Sequence, residues 1–239
     1  MDSAKRSVLL SIVGIIAAIG LMVGAGFGIA RRVGDSVADL DHRVVADIES
    51  SQRLFNDLEN FDSISTVGGW SLILVPGEIY SVDVSANRKA LEQIDVFTRG
   101  DTLHLELKSG VQSVTGDLRA TVTMRDLEEI RSEGKASLVM SGFDLDELSI
   151  DVDGAASLTS NGGSIARLEI ESDGASTFDF SGTPVVDALV NMDGASNLDI
   201  LMAGGELAGV LRGVGNVTFS GDVSTENIDV DGLGRVHRN

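Results

Sequence analysis

Between residues 127 and 239 apolar and polar positions alternate in short bursts, and the bursts recur every 19–20 residues around a glycine: Gly134, Gly154, Gly174, Gly194, Gly213 and Gly232. Aligned there, the copies read EGKASLVMSG, DGAASLTSNG, DGASTFDFSG, DGASNLDILM, RGVGNVTFSG and DGLGRVHRN. Ahead of the glycine the apolar residues fall at every second position, as in Leu148, Ile150, Val152 or Leu168, Ile170 or Ile228, Val230. Period two predicts a strand with one face buried. Four residues beyond the glycine a second apolar column recurs (Leu138, Leu158, Phe178, Leu198, Val217, Val236), with Met140, Phe180, Ile200 and Phe219 two further on. Each copy is therefore a coil of at least two short strands with a glycine corner, and it can bury its apolar face only by stacking on its neighbours. Two residues after the glycine stand Ala136, Ala156, Ser176, Ser196, Gly215 and Gly234, all small, as an inward corner with close backbone packing requires. A leucine-rich repeat has a similar period, but its Leu-x-x-Leu-x-Leu frame and asparagine ladder are missing. The expected fold is all-β, a right-handed parallel β-helix, or solenoid, of 19–20-residue coils, its six repeat coils spanning about 25 Å at about 4.8 Å per strand.

Upstream the pattern changes twice. After a short tail over residues 1–6, the uncharged run Val8–Ala30 lies between Lys5-Arg6 and Arg31-Arg32, and as a helix it would span about 35 Å against a hydrocarbon core of about 30 Å. Residues 7–30 are expected to be a transmembrane anchor that holds the chain in the bilayer. A cleaved signal peptide competes, because Gly28-Ile29-Ala30 resembles a small-residue cleavage site, although the apolar core of a signal is usually only about 7–15 residues. Gly20, Gly24 and Gly28 form a GxxxGxxxG stripe that would let two such helices approach closely. Flanking positive charge is balanced, and the shorter N-terminal tail favours N-in with the rest of the chain outside the cytoplasm. From residue 31 to 60 the apolar positions Val33, Val37, Leu40, Val44, Ile48, Leu54, Phe55 and Leu58 recur at spacings of three and four, which predicts a helical linker or stalk.

Residues 61–124 are strand-rich without the later repeat: Trp70–Val75, Ile79–Val84, Leu103-x-Leu105-x-Leu107 and Ala120-x-Val122-x-Met124, with Pro76-Gly77 and Arg99-Gly100-Asp101 as turns. The stretch FDSISTVGGWSLILVPGEIYSVDVSANRKALEQIDVFTRGDTLHLEL, then TVTMRDLEEIRSEGKASLVMSG and the DGA-containing copies, resembles the bacterial family described as putative auto-transporter adhesin, head GIN domain. The resemblance covers residues 61–239. It rests on an F-x-x-I start, a P-G-E-x-Y-x-V turn and strand, a G-D-T-L strand and the glycine-cornered repeats. It implies a right-handed parallel β-helix on the extracytoplasmic side of a bacterial envelope, attached through an anchor, with an adhesin role and no catalytic residues to carry over.

Composition narrows the chemistry. The 239 residues include 28 glycines, 2 prolines and no cysteine, so neither disulfides nor thiolate metal sites are available. Asp153, Asp173 and Asp193 precede their glycines, as does Asp231, and stacking would align the first three as a ladder of like charges. Such carboxylates either fan into water, or accept backbone N–H bonds in Asx turns, or share a cation, with calcium the candidate because it takes several carboxylate oxygens. The G-G-x-G-x-D calcium repeat is absent.

A polysaccharide-acting enzyme is the alternative from another class. It needs two carboxylates across a groove and aromatic platforms for sugar rings, and the chain has one Trp and one Tyr. His42, His104 and His237 stand far apart in no catalytic order, and neither HExxH nor G-x-S-x-G occurs. No catalytic residue and no cofactor is predicted.

Lys5 and Arg6 against Asp2 contribute +1 to the net charge of −19, leaving −20 for the rest, which excludes nucleic acid as a partner. The reading is a single-pass protein of the bacterial inner membrane whose solenoid binds or scaffolds in the periplasm or at the cell surface. An envelope-sensing component is a further alternative. The ligand is unknown, and homo-oligomers are expected through the glycine stripe, the open terminal coil, or both.

Overall fold

The computed structural model describes residues 50–55 and 57–239. The anchor expected over 7–30, its stripe Gly20, Gly24 and Gly28, and most of the 31–60 linker lie outside the described residues. Among the described residues no helix is long and apolar enough to cross a membrane.

The described chain is all-β, a solenoid of about six turns. In order it forms β1 (Ser50–Phe55), β2 (Ser63–Pro76), β3 (Ser81–Asn87), a one-turn helix α1 (Arg88–Leu91), β4 (Ile94–Arg99), β5 (Thr102–Leu107), β6 (Leu118–Met124), β7 (Glu129–Ser141), β8 (Asp144–Asn161), β9 (Ser164–Ala203), β10 (Glu206–Asp222) and β11 (Thr225–Arg238). Strands β7 to β11 stack in parallel with each corner glycine on the one before: Gly134↔Gly154, Gly154↔Gly174, Gly194↔Gly213 and Gly213↔Gly232. β9 runs unbroken through two corners, Gly174 and Gly194. The period-two pattern explains the core. Leu148, Ile150, Val152, Leu158, Leu168, Ile170, Phe178 and Phe180 are all buried, and the small corner residues Ala136, Ala156, Ser176 and Ser196 are buried beside them.

The repeat begins earlier than its glycine spacing indicates. β2 pairs in parallel with β7 from Ser63↔Glu129 through Gly68↔Gly134 to Leu74↔Met140, so it is already a coil, with Gly68 (φ +107°) at its corner. Residues 77–126 are an insertion between this first coil and the second. Within it β5 and β6 pair in parallel with the other side of β2, Ser63↔Thr102 and Trp70↔Leu118, and supply one more rung. The chain thus leaves β2, builds on one side of it, and returns to build β7 on the opposite side.

Antiparallel strands close that end: β4 on β5, β3 on β6 and β1 on β3. Capping of this kind covers a row of backbone donors and acceptors that would otherwise be open to other chains. Asn87 starts α1 by accepting the Ala90 N–H at 2.9 Å, and its amide donates to the Thr115 carbonyl in the loop that replaces a corner.

β1 corrects the linker expectation. Residues 50–55 are a strand and not the end of a helix, paired from Ser50↔Asn87 to Phe55↔Val82. The backbone edge of β3 offers partners that a helix would leave unused. Phe55 packs toward the core while Leu54 is 57% exposed, the alternation of a strand.

Candidate functional site

Each corner separates two outward faces of different chemistry. Ahead of the glycine the exposed or half-buried columns are acidic: Glu129, Glu133, Asp151, Asp153, Glu169, Glu171, Asp173 and Asp193. Arginines relieve the repulsion at two places. Arg131 donates to Glu129 on its own strand at 2.7 Å and to Asp151 on the next at 3.2 Å, and Arg212 donates to Asp193 at 3.3 Å.

Beyond the glycine one outward column is neutral through six coils, with the exposed Lys135 and Asp199 and the half-buried Asp179 in neighbouring columns. The third residue after Gly68, Gly134, Gly154, Gly174, Gly194 and Gly213 is Ser71, Ser137, Ser157, Thr177, Asn197 and Asn216 in turn, every one of them exposed, and the column ends on Arg235 after Gly232. The ladder aligns Ser71↔Ser137, Ser137↔Ser157, Ser157↔Thr177 and Asn197↔Asn216. Adjacent rungs lie about 4.8 Å apart, so this is a row of hydroxyl and amide groups at a fixed repeat. Asn216 donates its amide to the Asn197 carbonyl at 3.2 Å, which holds both side chains along the row. Hydroxyls and amides both donate and accept, and a straight row of them can meet a polar polymer without removing any charge from water. The signal was present in the aligned copies, as the S, S, T, N, N three places past the first five glycines, but polar residues there read as ordinary solvent-facing positions.

The expected turn glycines Gly134, Gly154, Gly174, Gly194, Gly213 and Gly232 all have positive φ and stack on one another. Asp153 and Asp173 are in register and exposed to water, and Asp193 is held by Arg212. Among the described residues no three His, Cys, Asp or Glu side chains are grouped so as to hold a metal ion, so the calcium candidates Asp153, Asp173 and Asp193 are not brought together as ligands. Other acids do bond backbone: Asp179 accepts from the Ser181 N–H two residues on at 3.0 Å, and Asp187 accepts from the Glu206 N–H of the next coil at 2.9 Å.

One further concentration of acid lies where β2, β5 and β7 begin. The exposed Glu128 is held above the usual carboxylate range mainly by the charge of Asp62, then by burial, with Asp126, Asp101 and Glu147 adding to it. His104 stacks on Phe97 with ring centres 5.0 Å apart, and His237 is exposed on β11. Trp70 is buried at the capped end, where its indole N–H donates to the Val67 carbonyl at 3.2 Å.

A family model described as putative auto-transporter adhesin, head GIN domain, matches residues 60–222. None of the curated proteins matches the chain. Among solved structures, a putative adhesin from Bacteroides fragilis is similar at 14% identity and a TM-score of 0.63, covering 81% of this chain and 98% of that one. A putative adhesin from Parabacteroides merdae, at 15% identity and a TM-score of 0.49, covers 80% of this chain and 96% of its own. A putative lipid binding protein from Parabacteroides distasonis, at 14% identity and a TM-score of 0.47, covers 80% and 96%.

Proposed function

Because the chain belongs to the putative auto-transporter adhesin, head GIN domain family, we propose that it is a non-catalytic binding module of the bacterial envelope, carried outside the cytoplasm. The observation that carries this reading is the row Ser71, Ser137, Ser157, Thr177, Asn197 and Asn216, a repeating set of neutral hydrogen-bonding groups beside a strongly acidic face. Its chemistry suits a polar, uncharged or cationic polymer of the envelope or of another surface. The acidic face would repel polyanions and select against them. In this reading residues 7–30 tether the solenoid to the inner membrane, and the domain acts as adhesin or scaffold.

Two measurements test it. Full-length chain is assayed for retention on intact cells and on envelope polysaccharide, with Thr177→Asp and Asn197→Asp as variants that extend the acidic surface across the row. Retention of the parent, with loss of about tenfold or more in the variants, is expected from placing charge against hydrogen-bonding groups. Equal retention of parent and variants would remove the row from the function. Release of reducing ends from the polysaccharide, abolished in Glu128→Gln, would replace binding by hydrolysis as the activity.

A further inference from the structure

The two ends of the solenoid are built differently. One is closed by β1, β3 and β4, while β11 at the other pairs with β10 along one edge only. None of the residues of β11 is fully buried. Its composition also departs from the repeat. Arg238 stands in register with Phe219, in the column that holds Phe180 and Ile200 in earlier coils, and it turns aside to donate to the Gly221 carbonyl at 2.8 Å. The apolar column passes to arginine in this coil.

The charges along β11 are sorted. Asp229 and Asp231 precede the corner and Arg235 and His237 follow it, all four exposed, and none of their side chains has a hydrogen-bond or ion-pair partner among the described residues. Leu233, between the two halves, is 79% exposed.

These positions are self-complementary. If a second β11 runs antiparallel to the first with Leu233 opposite Leu233, then Asp231 meets Arg235, Asp229 meets His237, Val230 meets Val236 and Gly232 meets Gly234, each twice. Inward positions meet inward positions and outward meet outward, as a two-fold axis through the corner requires. Val230 and Val236, now only partly buried against the core, would each gain an apolar neighbour.

We propose that two copies of this chain join end to end through β11 about a two-fold axis at Leu233. The opposite end of the strand order carries β1, so the two Ser50 ends lie at the far ends of a doubled solenoid. Resting on the anchored reading above, such a dimer would link two surfaces instead of lying along one. The pairing itself does not depend on the anchor.

The test uses the full chain in detergent, which has no native cysteine. Residues directly opposite in an antiparallel pair have Cα atoms about 4.5–5.5 Å apart, within disulfide reach. Leu233→Cys should therefore give a disulfide-linked dimer on oxidation. Lys135→Cys, the corresponding corner position of a coil far from the end, should not. Because the N-terminal glycines could also bring chains together, charge exchange decides the register. Asp231→Arg and Arg235→Asp should each lower the cross-linked yield about tenfold or more by setting like charges opposite one another, and the double variant should restore it. Circular dichroism confirms that each variant folds. A folded Leu233→Cys chain that stays monomeric, or a double variant that fails to recover, overturns the proposal.

Discussion

Ser196 is fully buried and its hydroxyl has no hydrogen-bond partner. The reason lies in the neighbouring column. In the preceding coil Ser172 donates to Ser176 at 2.8 Å across the corner, but twenty residues on the place of Ser172 is taken by Met192, so Ser196 keeps the hydroxyl and loses its mate. An unmet buried hydroxyl costs about 1–3 kcal/mol. Ser196→Ala should accordingly raise stability by about 1 kcal/mol in urea unfolding, whereas Ser176→Ala, which strands Ser172, should lower it. Asp83 of β3 offers a second case. It stands between Leu54 and Thr121 in the ladder with Oδ1 unbonded, and burial holds its carboxyl above the ordinary range. A raised native pKa means that the folded state binds the proton more tightly than the unfolded chain. The penalty is absent below the ordinary carboxylate value and grows as pH rises to the raised one. Asp83→Asn should therefore stabilise the protein at neutral pH and flatten that part of its stability profile, a change read from unfolding midpoints across the acid range. The same logic applies to Glu128, where Asp62 is the main cause.

At the scale of an element, the corner is the unit that the repeat protects. A Cβ on Gly174 would lie 2.0 Å from the Gly154 carbonyl oxygen with φ at +131°, so strain and collision act together. On Gly100, in the β4–β5 turn, φ is +65° and nothing lies within 4 Å of the added atom. Gly100→Ala should cost about 1 kcal/mol and Gly174→Ala about 3 kcal/mol or more, since steric overlap adds to a disfavoured backbone. Phe180→Ala, which empties a fully buried site, should cost about 3–5 kcal/mol. These corners also show why the solenoid could be read directly from residues: every coil obeys one local rule, and breaking it leaves a gap in the copies. The first coil followed the rule too, with Gly68, Ser71 and Leu72 aligned on Gly134, Ser137 and Leu138. Its neighbour in space is separated from it by the insertion, so no 20-residue spacing announced it. Trp70 occupies the corner position of Ala136, a departure from the small residues that the later coils hold there. The cap was hidden for a different reason. Antiparallel partners such as β1 and β3 are chosen by edge complementarity across the fold, and spacing within a strand does not encode it. The row from Ser137 to Asn216 was written in the copies as well, and only stacking turned separate polar residues into a surface and joined Ser71 to them.

The whole molecule behaves as a stack in which each coil leans on its neighbours, so its stability should grade along the axis. Backbone amides of β8 and β9, which bury Leu158, Ile170 and Phe178, should exchange slowest, and those of β11 fastest. Uniform protection from β7 to β11 in hydrogen exchange would contradict that gradient. Adjacent coils meet across only 19 or 20 residues of chain, as in Arg212 with Asp193 and Arg131 with Asp151. The contact of Thr66 with Ser132 between the first two coils spans 66. The out-and-back path of residues 77–126 thus divides the protein into a low-contact-order part and a high-contact-order part. Loop-closure entropy delays the latter. Folding should nucleate among β7 to β10 and reach β2 and its cap last, so a chain emerging from its N-terminus would hold its first coil unpaired until the repeats behind it had formed.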